Sequence, residues 1–197
     1  EWSRIFNAMG TEVHIVEVAP HLLPVADIEI SKRIERTFKQ RGIKMYLSTF
    51  VENINEGKVH LSNGEVLEPD FTLVAIGRNI SRPEINGKVT YLGDTCGQLM
   101  LATFAMYQAR ALVSDVLFDN VFVPSVVYGT PEIAWVGATE QDLPPDSYEK
   151  VLYPLTALGK AYCDNATEGF IKLLSYDDHL IGVHIMGKEA SALIQQF

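Results

Sequence analysis

Glu17 closes a short apolar run, Val13 to Val16, that follows a helical pattern and a glycine. A carboxylate at the end of the second strand of a βαβ unit accepts hydrogen bonds from both hydroxyls of a ribose and repels a 2′-phosphate, which favours NAD over NADP. An ordinary solvated acid at a strand end is the other reading, and spacing alone leaves both open. Asp94 follows Gly93 at the end of "VTYL" and stands just ahead of a long apolar segment. There its side chain can bind sugar or ribityl hydroxyls while helix amide groups face an electron-rich ring; it can equally be a capping aspartate. Gly77 ends "FTLVAI" and precedes Arg78, where a backbone without Cβ lets a ligand approach closely or simply makes a turn.

Cys96 sits near the same helix start, a position that lowers a thiol pKa, but neither it nor Cys163 belongs to a C-x-x-C spacing. A passive thiol explains it as well. His14, His21, His60, His179 and His184 show no metal-ligand spacing, so no metal is assigned. Trp135 and Tyr128 read as core or subunit contact, or as an aromatic-rich strand facing a ligand.

The elements that must position these residues follow from periodicity. Trp2, Ile5, Phe6 and Met9 share one helical face, and Gly10 ends that helix before the strand leading to Glu17. Asp27 can cap a second helix in which Ile30, Ile34 and Phe38 repeat every four residues while Lys32, Arg33, Glu35, Arg36 and Lys39 face water; Gly42 ends it. "IKMYLS", "FVENI" and "KVHLS" alternate as strands, with Asn63-Gly64 as a hairpin turn, and "FTLVAIG" reads as a near-continuous buried strand. After the turn-rich "ISRPEINGK", a short strand "VTYLGD" leads to a helix from about Gln98 to Phe118. From Phe122 the pattern becomes short strands, "VPSVVY", "IAWVG", "YEKVLYP", "GFIKLLSY" and "LIGVHIMG", closing on a helix that begins in "KEASALIQQF". The expected architecture is α/β followed by α+β: a partial Rossmann-type half with an inserted antiparallel meander, then a domain built on an antiparallel sheet.

Composition narrows the partners. With 47% hydrophobic and 21% charged residues, the chain can build one or two cores and is not disordered over its length. Sixteen basic against twenty-five acidic side chains give a formal charge of -9, which argues against nucleic acid and anionic membrane surfaces. The uncharged stretch from Gly97 to Ala109 is too short to span a bilayer, no signal peptide is visible at Glu1, and two isolated cysteines suit a reducing, cytoplasmic setting. Opening without Met, the sequence reads as a processed or cut chain.

Five segments in order, "VAIGRN", "YLGDTCGQLMLA", "VPSVVYGTPEIAWVG", "TEGFIKLL" and "LIGVHIMG", resemble the flavin-dependent pyridine nucleotide disulfide oxidoreductases, and the stretch around Pro131 and Glu132 is the most specific. The resemblance covers nearly the whole chain. It implies a partial NAD-binding domain at 1–90, an FAD-domain return segment at 91–121 and an interface domain at 122–197 that makes a homodimer. It implies that Glu17 binds the NAD ribose, that Val51 gives a backbone contact to the adenine side, and that Gly77 faces the nicotinamide half. It further implies that Asp94 binds FAD and that Met100, Leu101, Ala102 and Thr103 form the helix start beneath the flavin. Thr103 stands where the family usually has a histidine, which leaves that contact open.

The activity implied is FAD- and NAD-dependent oxidation of a dithiol such as dihydrolipoamide, with glutathione-like disulfides, mercuric ion or another nicotinamide as alternative substrates. A natural short homologue acting as a dimerisation or interaction module is the reading from another class. The family's redox cysteine pair, its terminal His and Glu pair and the glycine turn expected before Glu1 have no counterpart here, and the link from Arg78 to Gly93 is short for the family. The isolated polypeptide is therefore expected to be inactive, which an assay of NAD-linked lipoamide reduction checks.

Overall fold

The computed structural model describes residues 1–114 and 122–197, in two compact units: Glu1–Thr72 with Val126–Phe197, and Leu73–Ser125. In the larger unit, α1 (Trp2–Ala8) leads to β1 (His14–Val16), α2 (Ile28–Gln40) and β2 (Lys44–Tyr46), and β1 and β2 pair in parallel with His14 opposite Lys44. Asp27, in extended conformation, caps α2 by accepting the Glu29 N–H at 2.9 Å. Ile30, Ile34 and Phe38 are all buried, as their spacing requires. Gly42 takes φ +75, open to glycine at little cost, and Ile43 returns into the core. A meander follows: β3 (Val51–Asn55), β4 (Lys58–Leu61) and β5 (Val66–Leu67), with Asn63 and Gly64 at the turn between β4 and β5.

A five-stranded sheet forms the rest of this unit. Its strands are β6 (Ser125–Val127), β7 (Glu132–Gly137), β8 (Glu149–Pro154), β9 (Phe170–Tyr176) and β10 (His179–Gly187), in the order β6-β7-β10-β9-β8. The pairings β7–β10, β10–β9 and β9–β8 are antiparallel. Alternation decides which side chains go where. Ile133, Phe170 and Met186 point to one face and pack with Leu22, Ile30, Ile34, Phe38 and Ile43; Ala134, Val136, Val183 and Ile185 point to the other and pack with Ala190 and Ile194. Ala190 belongs to the short helix α5 (Ala190–Leu193); a further short helix, α4 (Gly159–Cys163), lies between β8 and β9. Helices on both faces explain why the β10 segment reads as almost continuously apolar. The Glu132 carboxylate fastens α5, accepting the Ser191 N–H at 2.9 Å and its hydroxyl at 2.7 Å.

One charged cluster lies inside this packing. Lys172, on the face of β9 turned toward α2, is fully buried, and its ammonium donates to both oxygens of buried Asp27 at 2.7 and 2.8 Å and to Glu140. Asp27 also accepts the Glu140 N–H at 2.9 Å. Glu140 in turn accepts from Lys150 at 2.7 Å and from the Tyr148 hydroxyl at 2.9 Å. His184, opposite Lys172 in the register, donates Nε2–H to the Ala138 carbonyl at 2.9 Å, while its Nδ1 is buried with no partner.

In the smaller unit a 3₁₀ turn, Gly93–Cys96, precedes α3 (Ala102–Ser114), whose buried residues are Phe104, Gln108 and Ala111. The strands expected at 71–77 and 89–94 do not form. These residues run without a ladder partner, and Val74 and Ile76 stand 61% and 93% exposed. The apolar run has strand propensity, but a strand exists only through its neighbours, and none lies beside it among the described residues. The expected helix begins four residues late, at Ala102, and its continuation to Phe118 falls outside the described residues.

Two outcomes follow from the charged cluster. Lys172→Ala leaves two carboxylates without their shared cation, one of them wholly buried, and is expected to lower unfolding free energy by about 3–5 kcal/mol in urea titrations. Acid should weaken the fold in two stages. Burial raises the Asp27 and Glu140 carboxyl pKa values, but the hydrogen bonds they accept outweigh it: Asp27 is lowered and Glu140 reaches about 2. Their contribution is complete above the ordinary carboxylate range and is lost as pH falls through it toward 2. Burial lowers the His184 pKa from 6.5, so the unfolded chain takes that proton first and stability declines as pH drops below 6.5. His184→Gln should remove the upper stage and keep the lower, as read from urea midpoints between pH 8 and pH 3.

Candidate functional site

Glu17 lies one residue beyond β1, where its position is fixed at three points. Its backbone N–H donates to the Tyr46 carbonyl at 2.9 Å, its own carbonyl accepts the Thr49 N–H at 3.1 Å, and its Oε1 accepts the Ala19 N–H at 2.9 Å. The half-buried carboxylate is thus aimed by its own chain, with one oxygen committed to the turn. Beyond it, the Glu35 carboxylate accepts the Leu22 N–H at 2.9 Å and holds the connection to α2. Val51, 40% exposed, opens β3 opposite Leu61.

The smaller unit carries the other expected residues. Gly77 is exposed at φ +96, with open space where a Cβ would project, so only its backbone conformation calls for glycine. Asp94 lies in the 3₁₀ turn with its carboxylate exposed, and among the described residues that carboxylate has no hydrogen-bond or ion-pair partner. Met100 is 43% exposed; the Leu101 carbonyl accepts the Ala105 N–H at 3.0 Å and so starts α3; Ala102 and Thr103 are exposed on its first turn. Asp94 and this helix start therefore belong to one unit, and Glu17 and Val51 to the other.

The turn that presents Asp94 is closely fitted. Gly93 is buried at φ +61, and a Cβ there would stand 3.1 Å from the Ala105 methyl. Thr95 donates its hydroxyl to the Leu92 carbonyl at 2.7 Å. Arg82 donates to the carbonyls of Thr95 at 2.8 Å and Cys96 at 2.9 Å, with its guanidinium over the Tyr91 ring. Gln108 accepts the Gly93 N–H at 2.6 Å. Sequence reasoning did not single out Arg82 or Gln108. The signal for Gln108 was present: a polar residue four after Phe104 and three before Ala111, on the face a helix buries.

Cys96 is half-buried against Gln108, Cys163 is exposed, and both are free thiols. His14 stacks on Tyr46, and His21 lies 3.3 Å from Glu35. No group of three or more His, Cys, Asp or Glu side chains among the described residues could hold a metal ion. No helix among them is long and apolar enough to cross a membrane.

Two family profiles match the chain: pyridine nucleotide-disulphide oxidoreductase over residues 1–109, and the pyridine nucleotide-disulphide oxidoreductase dimerisation domain over residues 123–197. The dihydrolipoyl dehydrogenase of Chlamydia pneumoniae is 26% identical over 98% of this chain and 50% of its own length. The dihydrolipoamide dehydrogenase of Chaetomium thermophilum is 31% identical over 100% of this chain and 47% of its own. The chain spans about half the length of the curated relatives it matches. Among solved structures, LpdA of Mycobacterium tuberculosis superposes with a TM-score of 0.83 at 23% identity, covering 100% of this chain and 51% of LpdA. The HOCl-induced flavoprotein disulfide reductase RclA of Escherichia coli gives 0.82 at 22%, covering 99% and 54%. In sequence and in fold, this chain belongs to the pyridine nucleotide-disulphide oxidoreductases and lies close to dihydrolipoamide dehydrogenase.

Proposed function

We propose that this chain supplies parts of both cofactor sites and the subunit interface of an FAD-dependent, NAD-linked dithiol oxidoreductase of the dihydrolipoamide dehydrogenase type. The observation that carries the reading is Asp94: an exposed carboxylate without a partner among the described residues, on a turn whose Gly93 N–H, Thr95 hydroxyl and Thr95 and Cys96 carbonyls are tied down, ahead of the first turn of α3. A carboxylate in that state suits the hydroxyls of a flavin's ribityl chain, and Met100 to Thr103 supply the adjoining helix start. Glu17 suits the ribose of NAD, with one oxygen held by Ala19 and the other left to accept. Val51 and Gly77 offer backbone to the adenine and nicotinamide sides. A flavin held there would supply the two-electron chemistry between a dithiol and a nicotinamide; the residues named here would bind and orient the two cofactors.

On this reading, residues 1–90 are part of an NAD-binding domain, 91–121 an FAD-domain return segment, and 122–197 the surface through which two copies associate. The five-stranded sheet and the dimerisation-domain match support the last of these. The two free thiols suit a cytoplasmic setting.

Titration of the purified chain with FAD, followed between 350 and 500 nm together with its mass in solution, tests the proposal. A perturbed flavin spectrum at dimer mass is expected, and Asp94→Ala should weaken FAD binding by about ten-fold or more, the loss of hydrogen bonds to a charged group. Glu17→Gln should narrow the preference for NAD over NADP. An unperturbed flavin spectrum and a monomer mass in excess FAD overturn the reading for this chain.

A further inference from the structure

We propose that Gln108 is the positioning residue of the Asp94 turn: from the buried face of α3 it holds both ends of the turn, so that the carboxylate is presented outward to a ligand. The proposal rests on reading Asp94 as a flavin contact.

The turn is a single short 3₁₀ segment with help from outside it. Its closing backbone link, from the Gly97 N–H to the Asp94 carbonyl, is 3.3 Å, beyond the usual range for an amide. At its start, Gly93 is buried in the left-handed region, and a buried backbone N–H must find an acceptor. The Gln108 side-chain carbonyl provides it at 2.6 Å, while the NH₂ of the same carboxamide lies 3.3 Å from the Cys96 sulfur. One side chain thus touches the first and last residues of the turn. Gln108 is itself buried, fixed between Phe104 and Ala111 on the packed face of α3, so the clamp is as rigid as the helix.

The geometry leaves little slack. Ala105 stands 3.1 Å from where a Gly93 Cβ would be, and Arg82 takes the Thr95 and Cys96 carbonyls. With Gly93, Thr95 and Cys96 all held, the one side chain of the turn left outward and unpartnered among the described residues is Asp94. A leucine at 108 keeps the shape of the helix face but strands the Gly93 N–H without an acceptor. A glutamate keeps the acceptor. The two substitutions separate a packing role from a positioning one.

Cys96 is a built-in reporter, because its sulfur sits against the carboxamide that holds the turn. In a Cys163→Ser background, the rate at which DTNB labels Cys96 and the hydrogen exchange of the Gly93 amide by NMR read the clamp without any ligand. Gln108→Leu should label about ten-fold faster, as losing one net hydrogen bond allows, and should expose the Gly93 amide to exchange. Gln108→Glu should keep the Gly93 amide protected, because its carboxylate still accepts that N–H. Equal labelling rates for the native chain and Gln108→Leu, or a Gly93 amide as exposed in Gln108→Glu as in Gln108→Leu, overturn the proposal. So does an unprotected Gly93 amide in the native chain, an observation that needs no variant to fold. Arg82→Met is the control: it frees the Thr95 and Cys96 carbonyls but leaves the Gly93 amide protected. FAD titrated into the native chain in parallel tests the Asp94 reading separately, since neither the labelling nor the exchange involves flavin.

Discussion

The buried ammonium of Lys172 is the constraint on which the larger unit depends. Taking it and Asp27 out of water is costly, and the arrangement is tolerable only because every partner is satisfied: both Asp27 oxygens accept from Lys172, the backbone of Glu29 and Glu140 donates to the same carboxylate, and Glu140 adds a second anion. An apolar side chain at 172 would pack at that depth without this demand. What the ion pair adds is direction, since hydrophobic burial does not fix the rotation or height of a helix on a sheet. Here the N-terminus of α2 meets β9 at one register only, the one that places Asp27 over Lys172.

That register reaches the turn at Glu17 through short links. Asp27 begins α2; Glu35, two turns along, holds the Leu22 N–H; and Leu22 ends the segment that Glu17 begins. In the smaller unit the same economy recurs on a lesser scale, with Gln108 and Arg82 meeting the backbone requirements of a four-residue turn and leaving one carboxylate outward. In both places a carboxylate is positioned by the hydrogen bonds of neighbouring groups.

How much of this was legible in the sequence depends on whether the deciding interaction was local. The α2 helix was, because its cap, its four-residue repeat and its closing glycine are all written within 16 residues, from Asp27 to Gly42. So were β7, β9 and β10, whose alternation survives in the register. The run at 71–77 was misread because its apolar character describes a strand with neighbours on both sides, which local propensity does not supply. Lys172 and Gln108 were not singled out, and His184 only as a histidine without metal-ligand spacing; each is buried by a partner that no local pattern announces, 145 residues away in the case of Lys172 and Asp27. The family was legible in five motifs rather than in periodicity, and the comparisons with known proteins bear that reading out.

The separation between α2 and its covering sheet has a consequence for biosynthesis. Ile30, Ile34 and Phe38 leave the ribosome long before Ile133, Phe170 and Met186, the residues that bury them. At roughly 5–20 residues per second, the apolar face of α2 waits on the order of ten seconds for its sheet. During that interval a 13-residue segment too short to hold much helix alone leaves Ile30, Ile34 and Phe38 in water, and the cation for Asp27 has yet to be translated. The apolar face of α2 is therefore open to non-native association until its sheet has been made.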